Sequence, residues 1–324
     1  MFTCTDAELE ALLDPMQVVA AIRAAFVGGV EKVSMPQRLH LETETGTLLI
    51  MPCAIADDDI CGLKIVSVSR EGRPEGRVRA SYMLLDARTS RTIAVLEANY
   101  LTDVRTAATT AIATGILARP DAATLGVFGT GRQAEAHLAM LLRVRRLQRV
   151  LLAGTSATKT EAFVRRMQQR CGCEIKAADA ETCARSADVI CTCTSSVEPL
   201  FLGEIVRPGT HVNLIGTFQP RAREVDSALI RRARVFVDTY EAAFAEAGDI
   251  LVPLHAGEIG REHVLGDLHE LVSSRKPGRK SRDDITVFKS VGCALEDLVT
   301  AKLALAAVQS RTAEATAGSR SATS

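Results

Sequence analysis

The sequence has no surplus of either charge, no long apolar run and no paired cysteine spacing of the kind that holds zinc, and each absence removes a class of function. Lys plus Arg and Asp plus Glu both number 39 in 324 residues. No global field therefore draws the chain to nucleic acid or to an anionic membrane surface, and any attraction for anions must be local. No apolar stretch approaches the roughly 20 residues needed to span a bilayer. Met1 to Glu10 is polar and acidic, without the basic start and apolar stretch of a secretory signal, so the expected location is cytoplasmic. Cys171 and Cys173 form a C-x-C pair with no second Cys/His pair at finger-like spacing, and Cys191 and Cys193 lie in an apolar, strand-like run. Free buried thiols are expected, and no metal. There is no internal repeat.

What is present is a core-rich chain, 47% hydrophobic, long enough for two domains. Thr5 with Glu8 three residues later resembles a capping box, and Asp14-Pro15 opens a second amphipathic stretch to about Phe26. From Gln37 to Glu97 the pattern turns to short β-rich runs, Arg38–Glu42, Thr47–Met51, Gly62–Ser67, Ala80–Asp86 and Thr92–Glu97, which predict an antiparallel sheet. Thr102 caps an alanine-rich helix to about Leu117, and Arg119-Pro120-Asp121 ends it at a domain boundary.

Beyond Pro120 strands and helices alternate: strands at Thr124–Phe128, Arg149–Ala153, Asp188–Thr192, His211–Ile215 and Arg234–Val237, helices at Ala134–Leu142, Lys159–Gln169 and Ser227–Ala233. This rhythm implies an α/β domain with a mostly parallel sheet covered on both faces. Ser273 to Asp284 reads as a loop, Ile285–Phe288 as a strand and Leu295–Val308 as a long helix, with a small, polar and disordered tail from Gln309.

The most informative motif is Gly129-Thr130-Gly131-Arg132-Gln133-Ala134, a G-x-G-x-x-A placed after an apolar strand and opening an apolar-periodic helix. Gly129 suits the tight turn, Gly131 a close approach of backbone to pyrophosphate, and Ala134 close helix–sheet packing. The helix N-terminus adds free N–H donors. Thr194, just past the strand that ends at Thr192, is assigned to the same nucleotide site. At the end of the next strand, where an NAD site usually places a carboxylate, stand Gly154-Thr155-Ser156 with Lys159 one turn on. Two hydroxyls and a lysine favour a 2′-phosphate, hence NADPH, with NADH possible; Thr and Ser there are also ordinary helix caps.

Three cations have apolar or small neighbours: Arg38 at a strand start, Lys64 in Gly62-Leu63-Lys64-Ile65-Val66, and Arg105 in the first turn of the alanine-rich helix, where it opposes the helix dipole unless an anion intervenes. Taken singly, each is as readily a surface charge as a ligand. His40, two residues from Arg38, reads more readily as structural. Asp226, Asp238, Glu246 and Asp249 read as helix caps and solvated faces. Arg143-Val144-Arg145-Arg146 ends a helix, where cations are favoured without nucleic acid.

Arg38, Gly62-Leu63-Lys64, Leu101-Thr102-Asp103-Val104-Arg105-Thr106-Ala107-Ala108, the Gly129–Ala134 motif and Thr286-Val287-Phe288-Lys289-Ser290-Val291-Gly292 resemble, in order, the motifs of the ornithine cyclodeaminase and mu-crystallin family. The resemblance implies a homodimer of two-domain chains: a smaller α+β substrate-binding and dimerisation domain, residues 1–119 plus 294–324, and a Rossmann-type, doubly wound parallel-sheet domain, residues 120–293. The family places the active site in the cleft between them. It implies that Arg38, Lys64 and Arg105 hold the substrate carboxylate and that the turn Ser290, Val291, Gly292 lies near the nicotinamide. One departure matters. Where ornithine cyclodeaminases carry an aspartate two residues before a proline, to engage the substrate amine, this chain has Phe218, which can form no charged hydrogen bond. An apolar wall suits a cyclic imino acid, so the expected activity is NADPH-dependent reduction of Δ1-pyrroline-2-carboxylate or Δ1-piperideine-2-carboxylate. Ornithine cyclodeamination, alanine-type dehydrogenation and NADPH-dependent ligand binding without chemistry are the alternatives.

Overall fold

The computed structural model describes residues 1–71 and 78–321, with side chains to residue 311. The chain divides into two compact units, Met1–Arg105 with Cys293–Ser324, and Thr106–Gly292.

The first unit opens with β1 (Phe2–Cys4), α1 (Asp6–Leu12) and α2 (Pro15–Val27). Both helix starts follow from the sequence: Thr5 and Glu8 form the reciprocal capping box, and Asp14 accepts from Met16 N with Pro at the first helical position. There follow β2 (Val33–Ser34), β3 (Leu39–Thr43), β4 (Gly46–Ile55), β5 (Ile60–Ser69), β6 (Val78–Asp86), β7 (Thr92–Glu97) and α3 (Asn99–Leu117). The sheet runs β1-β7-β6-β5-β4-β2 with β3 also on β4. Its pairs are antiparallel as expected, except that β1 adds to β7 in parallel, a three-residue edge too short to carry a pattern.

Alternation along the strands decides what each face does. Leu49, Met51, Val66, Ala80, Tyr82 and Leu84 are buried on the face that the C-terminal helix, Ala294–Ser321, covers, with α2 packed against that helix. Lys64 shares that buried face, whereas Leu39, Leu41 and Ile65 project from the other and are exposed by 56%, 49% and 39%. The C-terminal helix continues to Ser321 instead of ending at Val308, because Ala and Glu in the tail are good helix formers; the tail at 322–324 lies outside the described residues.

The second unit is built from β8 (Thr124–Phe128), α4 (Arg132–Val144), β9 (Arg149–Ala153), α5 (Ala157–Gln168), β10 (Glu174–Ala177), α6 (Ala180–Ser186), β11 (Val189–Thr192), β12 (His211–Leu214), α7 (Ser227–Arg232), β13 (Ala233–Val237), α8 (Tyr240–Glu246), α9 (Gly248–His255), β14 (Val264–Asp267), α10 (Leu268–Val272) and β15 (Ile285–Lys289). Eight parallel strands lie in the order β10-β9-β8-β11-β12-β15-β13-β14. The order reverses between β8 and β11, the switch point at which doubly wound sheets bind ligands. Both faces are buried: Val150 and Leu152 enter a core with Leu138 and Phe163, while Leu151 and Ala153 enter another with Val212, Leu229 and Val235.

The unit boundary falls inside α3 and not at the Arg119-Pro120 stop. The C-terminal half of the helix is tied into the second unit, Thr110 to His137 and Thr114 to Asn213, at 3.0 Å each.

Candidate functional site

In the first unit the structure brings together two of the three cations and supplies them with partners that the sequence reading missed. Lys64 Nζ lies 2.7 Å from Asp297 Oδ1, and Arg105 lies 2.9 Å from the same oxygen while its other arm donates to Glu296. All four side chains are at most 6% exposed. Burying one such charge unpaired would cost several kcal/mol, so the four are kept only as a set. Arg38 is half-buried, and its positive charge acts on Lys64.

The local sequence explains the placement. Lys64 sits on the covered face of β5, and Glu296 and Asp297 open the C-terminal helix, where the dipole favours carboxylates. Arg105 is not in the first turn of its helix: α3 begins at Asn99, and Thr102 is internal, its hydroxyl donating back to Ala98 O at 2.7 Å. The anion expected beside Arg105 is therefore Glu296 with Asp297, not a helix-end ligand. The sequence reading did not single out these acids, and the partner of Glu296 is about 190 residues away. Burial, and then the charge of Arg105, pull the Lys64 ammonium down to about 8. Glu296 and Asp297 hold Lys64 and Arg105 side by side in the interior. His40, by contrast, is exposed on β3.

In the second unit the predicted nucleotide residues lie at the carboxyl ends of the parallel strands. Gly129 adopts φ +111, and a Cβ there would lie 2.5 Å from Cys193 O, so the turn requires glycine. Gly131 is the N-cap of α4 with no side-chain cap, and a Cβ on it would meet nothing within 4 Å. That combination fits a pyrophosphate: open space beside the backbone, and first-turn N–H groups that no capping side chain takes. Ala134 is fully buried, as close helix packing requires, and Thr130, Arg132 and Gln133 line the turn. After β9, Thr155 and Lys159 are exposed, and Ser156 caps α5 through Lys159 N. No carboxylate stands between Gly154 and Lys159.

Buried acids brace the remaining loops, correcting the expectation of solvated faces for three of them: Asp238, Glu246 and Asp249 are each at most 4% exposed. Asp238 Oδ2 accepts from Ser290 Oγ, Val291 N and Gly292 N at 3.0, 2.7 and 2.6 Å, holding the turn after β15, where Gly292 has φ +80. Asp249 accepts from Glu224 N and Val225 N and pairs with buried Lys289 at 3.0 Å. Glu224, which the sequence reading did not single out, accepts from Thr192 Oγ1, from Thr194 N and Oγ1, and from Gly216 N; burial raises its carboxyl despite Lys289. Thr194 and Gly216 are thus held by one carboxylate, Thr217 by Asp249 and Lys289, and Phe218 is half-buried against the core. Asp226 does cap a helix, α7.

All nine cysteines are free, and among the described residues no helix is long and apolar enough to cross a membrane.

A family model described as "Ornithine cyclodeaminase/mu-crystallin family" matches residues 1–312. A Δ1-pyrroline-2-carboxylate reductase of Bacillus cereus is 35% identical over 302 residues, 91% of this chain and 93% of the relative. Among solved structures, Thermococcus litoralis Δ1-pyrroline-2-carboxylate reductase, in complex with NADH and L-proline, superposes with a TM-score of 0.92 at 33% identity, covering 96% of this chain and 98% of that one. An archaeal alanine dehydrogenase dimer with bound NAD superposes with a TM-score of 0.89 at 32% identity, covering 96% of each chain.

Proposed function

We propose, because the chain belongs to the ornithine cyclodeaminase/mu-crystallin family, that it is an oxidoreductase of C=N groups that reduces a small cyclic α-imino acid to the amino acid. The substrate class is Δ1-pyrroline-2-carboxylate or its six-membered homologue. The observation that carries this reading is the buried pair of cations, Lys64 and Arg105, held side by side on Glu296 and Asp297. A carrier of an apolar ligand has no use for it, whereas an imino acid presents one carboxylate to be held. Arg38 and Arg105 bind that carboxylate by charge-assisted hydrogen bonds. Lys64, held at about 8, binds the same anion and supplies the proton that the reduced nitrogen needs.

The bound nicotinamide supplies the hydride. Gly129, Gly131 and the first turn of α4 hold its pyrophosphate, and the turn Ser290–Gly292, braced by Asp238, and Thr194, braced by Glu224, support its nicotinamide half. Phe218, which carries no charge, argues against capture of a substrate amine and hence against ornithine. The test is loss of reduced-nicotinamide absorbance with Δ1-pyrroline-2-carboxylate beside an assay for ammonia from ornithine. Rapid turnover of the first carries the proposal. Ammonia from ornithine, or turnover of neither with alanine oxidised instead, overturns it.

Thr155, Ser156 and Lys159, with no carboxylate between Gly154 and Lys159, favour NADPH over NADH. Lys159→Ala is expected to raise the KM for NADPH about tenfold, near 1.4 kcal/mol, and to leave that for NADH unchanged. Equal effects on both cofactors would remove Lys159 from the 2′-phosphate site.

The assembly proposed is a homodimer. Leu39 lies beside Ile50, and Ile50 beside Ile65, on the face of the sheet opposite the C-terminal helix, an apolar face of a kind monomers seldom leave exposed. Leu41→Glu is expected to yield monomers in sedimentation velocity, where the unaltered chain sediments as a dimer; a dimeric variant would place the interface elsewhere.

A further inference from the structure

Beside the phosphate-binding turn, three side chains from two elements converge. Cys191 stands on β11, Cys193 just beyond its end, and His137 on the second turn of α4. One ligand atom from each lies within 4.8 Å of the others. His137 and Cys191 are fully buried, and Cys193 is half-buried.

The imidazole is held as metal-binding histidines are held. His137 Nδ1 lies 2.7 Å from Gln133 O, an oxygen that only accepts, so the ring proton is on Nδ1 and Nε2 presents its lone pair to the cluster. That lone pair accepts from Thr110 Oγ1 at 3.0 Å, and the Cys193 thiol also hydrogen-bonds to the ring; an ion at Nε2 would replace the Thr110 hydrogen bond. The two sulfurs are 3.7 Å apart. That is far beyond the roughly 2.05 Å of a disulfide, and it agrees with the about 3.8 Å expected between two sulfurs each about 2.3 Å from a tetrahedral zinc ion. Two thiolates and an imidazole are a soft donor set, suited to zinc, cadmium or cuprous ions and unsuited to magnesium or calcium. Water, or Thr110 Oγ1 once released from Nε2, is available as a fourth donor. The expectation of no metal rested on spacing along the chain, and spacing could not bring in His137 from α4.

We propose that His137, Cys191 and Cys193 bind one thiophilic cation of the zinc class, and that its binding weakens the dinucleotide. The coupling follows from Cys193. Its N–H donates to Phe128 O at 2.8 Å, and its carbonyl oxygen lies 2.5 Å from where a Cβ of Gly129 would be, so the turn that holds pyrophosphate rests on the residue the ion would draw inward. By linkage, nucleotide must then weaken the ion to the same degree.

The test is titration of the reduced, chelator-treated full chain with cadmium alone, following sulfur-to-cadmium charge-transfer absorption. One equivalent is expected to develop the band. Cys191→Ser with Cys193→Ser should abolish it, His137→Gln should weaken binding at least tenfold, and Cys171→Ser with Cys173→Ser, the other C-x-C pair, should leave it intact. Serine is nearly isosteric, so the first variant remains decisive even where His137→Gln does not fold. Absence of the band, or its survival without Cys191 and Cys193, overturns the site. Fluorescence titration with NADH should show affinity reduced at least tenfold by zinc in the unaltered chain and not in the double serine variant; equal affinity with and without zinc overturns the coupling.

Discussion

Replacing Lys64 with Met is expected to lower kcat/KM for the imino acid by on the order of a thousandfold while leaving dinucleotide affinity unchanged. Two losses combine. The substrate carboxylate loses a direct cationic partner, and the nitrogen loses its proton source. The variant should still fold, because Asp297 keeps Arg105 at 2.9 Å and methionine fills nearly the same volume as lysine. Circular dichroism and a nucleotide titration check that; a rate within tenfold of the unaltered chain would make Lys64 a structural ion pair and no more.

The same residue sets the pH dependence. A lysine is active here as the ammonium, and burial together with Arg105 brings Lys64 to about 8 instead of 10.5. The proton is therefore lost at a lower pH than from an ordinary lysine, and turnover should be level below neutrality and fall as pH rises through about 8. In Lys64→Met the residual rate should lack that fall. A profile flat to pH 10 in the unaltered chain would take the proton transfer away from Lys64.

How far the molecule was legible in its sequence depended on whether a signal was local. The capping box at Thr5, the G-x-G-x-x-A turn and the strands of the first sheet are written in neighbouring residues, and each is found within a few positions of where the pattern puts it. Elements without such marks were missed. In β10 only Ile175 is buried among Glu174, Lys176 and Ala177, an edge strand too polar to alternate. Helix α9 carries Pro253 in its interior, which reads as a break. The acids were missed or misread for a different reason. Asp238 and Asp249 read as caps and solvated faces, and the sequence reading did not single out Glu224, Glu296 and Asp297, because only the fold surrounds them with donors from distant parts of the chain. Glu296 and Asp297 stand among Cys293, Ala294, Leu295, Leu298 and Val299, so their apolar neighbours were a signal of the same kind as those of Lys64 and Arg105.

The two glycines of the nucleotide turn are expected to fail differently, and the difference tests the site. Gly131 has extended backbone, φ −88 and ψ −176, and open space where a side chain would go. Valine prefers such backbone, and glycine contributes no side-chain cap here to be lost, so Gly131→Val should melt close to the unaltered chain. The space it fills is the space a pyrophosphate needs beside the first-turn N–H groups, and affinity for NADH or NADPH should fall at least a hundredfold, about 2.7 kcal/mol. Gly129→Ala should lose both. Its φ of +111 is strained for any side chain and its Cβ meets Cys193 O at 2.5 Å, which costs roughly 1–3 kcal/mol of stability before any nucleotide is added. Calorimetry with and without dinucleotide separates the two effects. If Gly131→Val kept its affinity, the turn would be a strand-to-helix connection and the nucleotide would have to be held elsewhere along the strand ends. If it lost stability as Gly129→Ala does, the open space beside Gly131 would not exist in solution, and the fit of the pyrophosphate to α4 would have no basis.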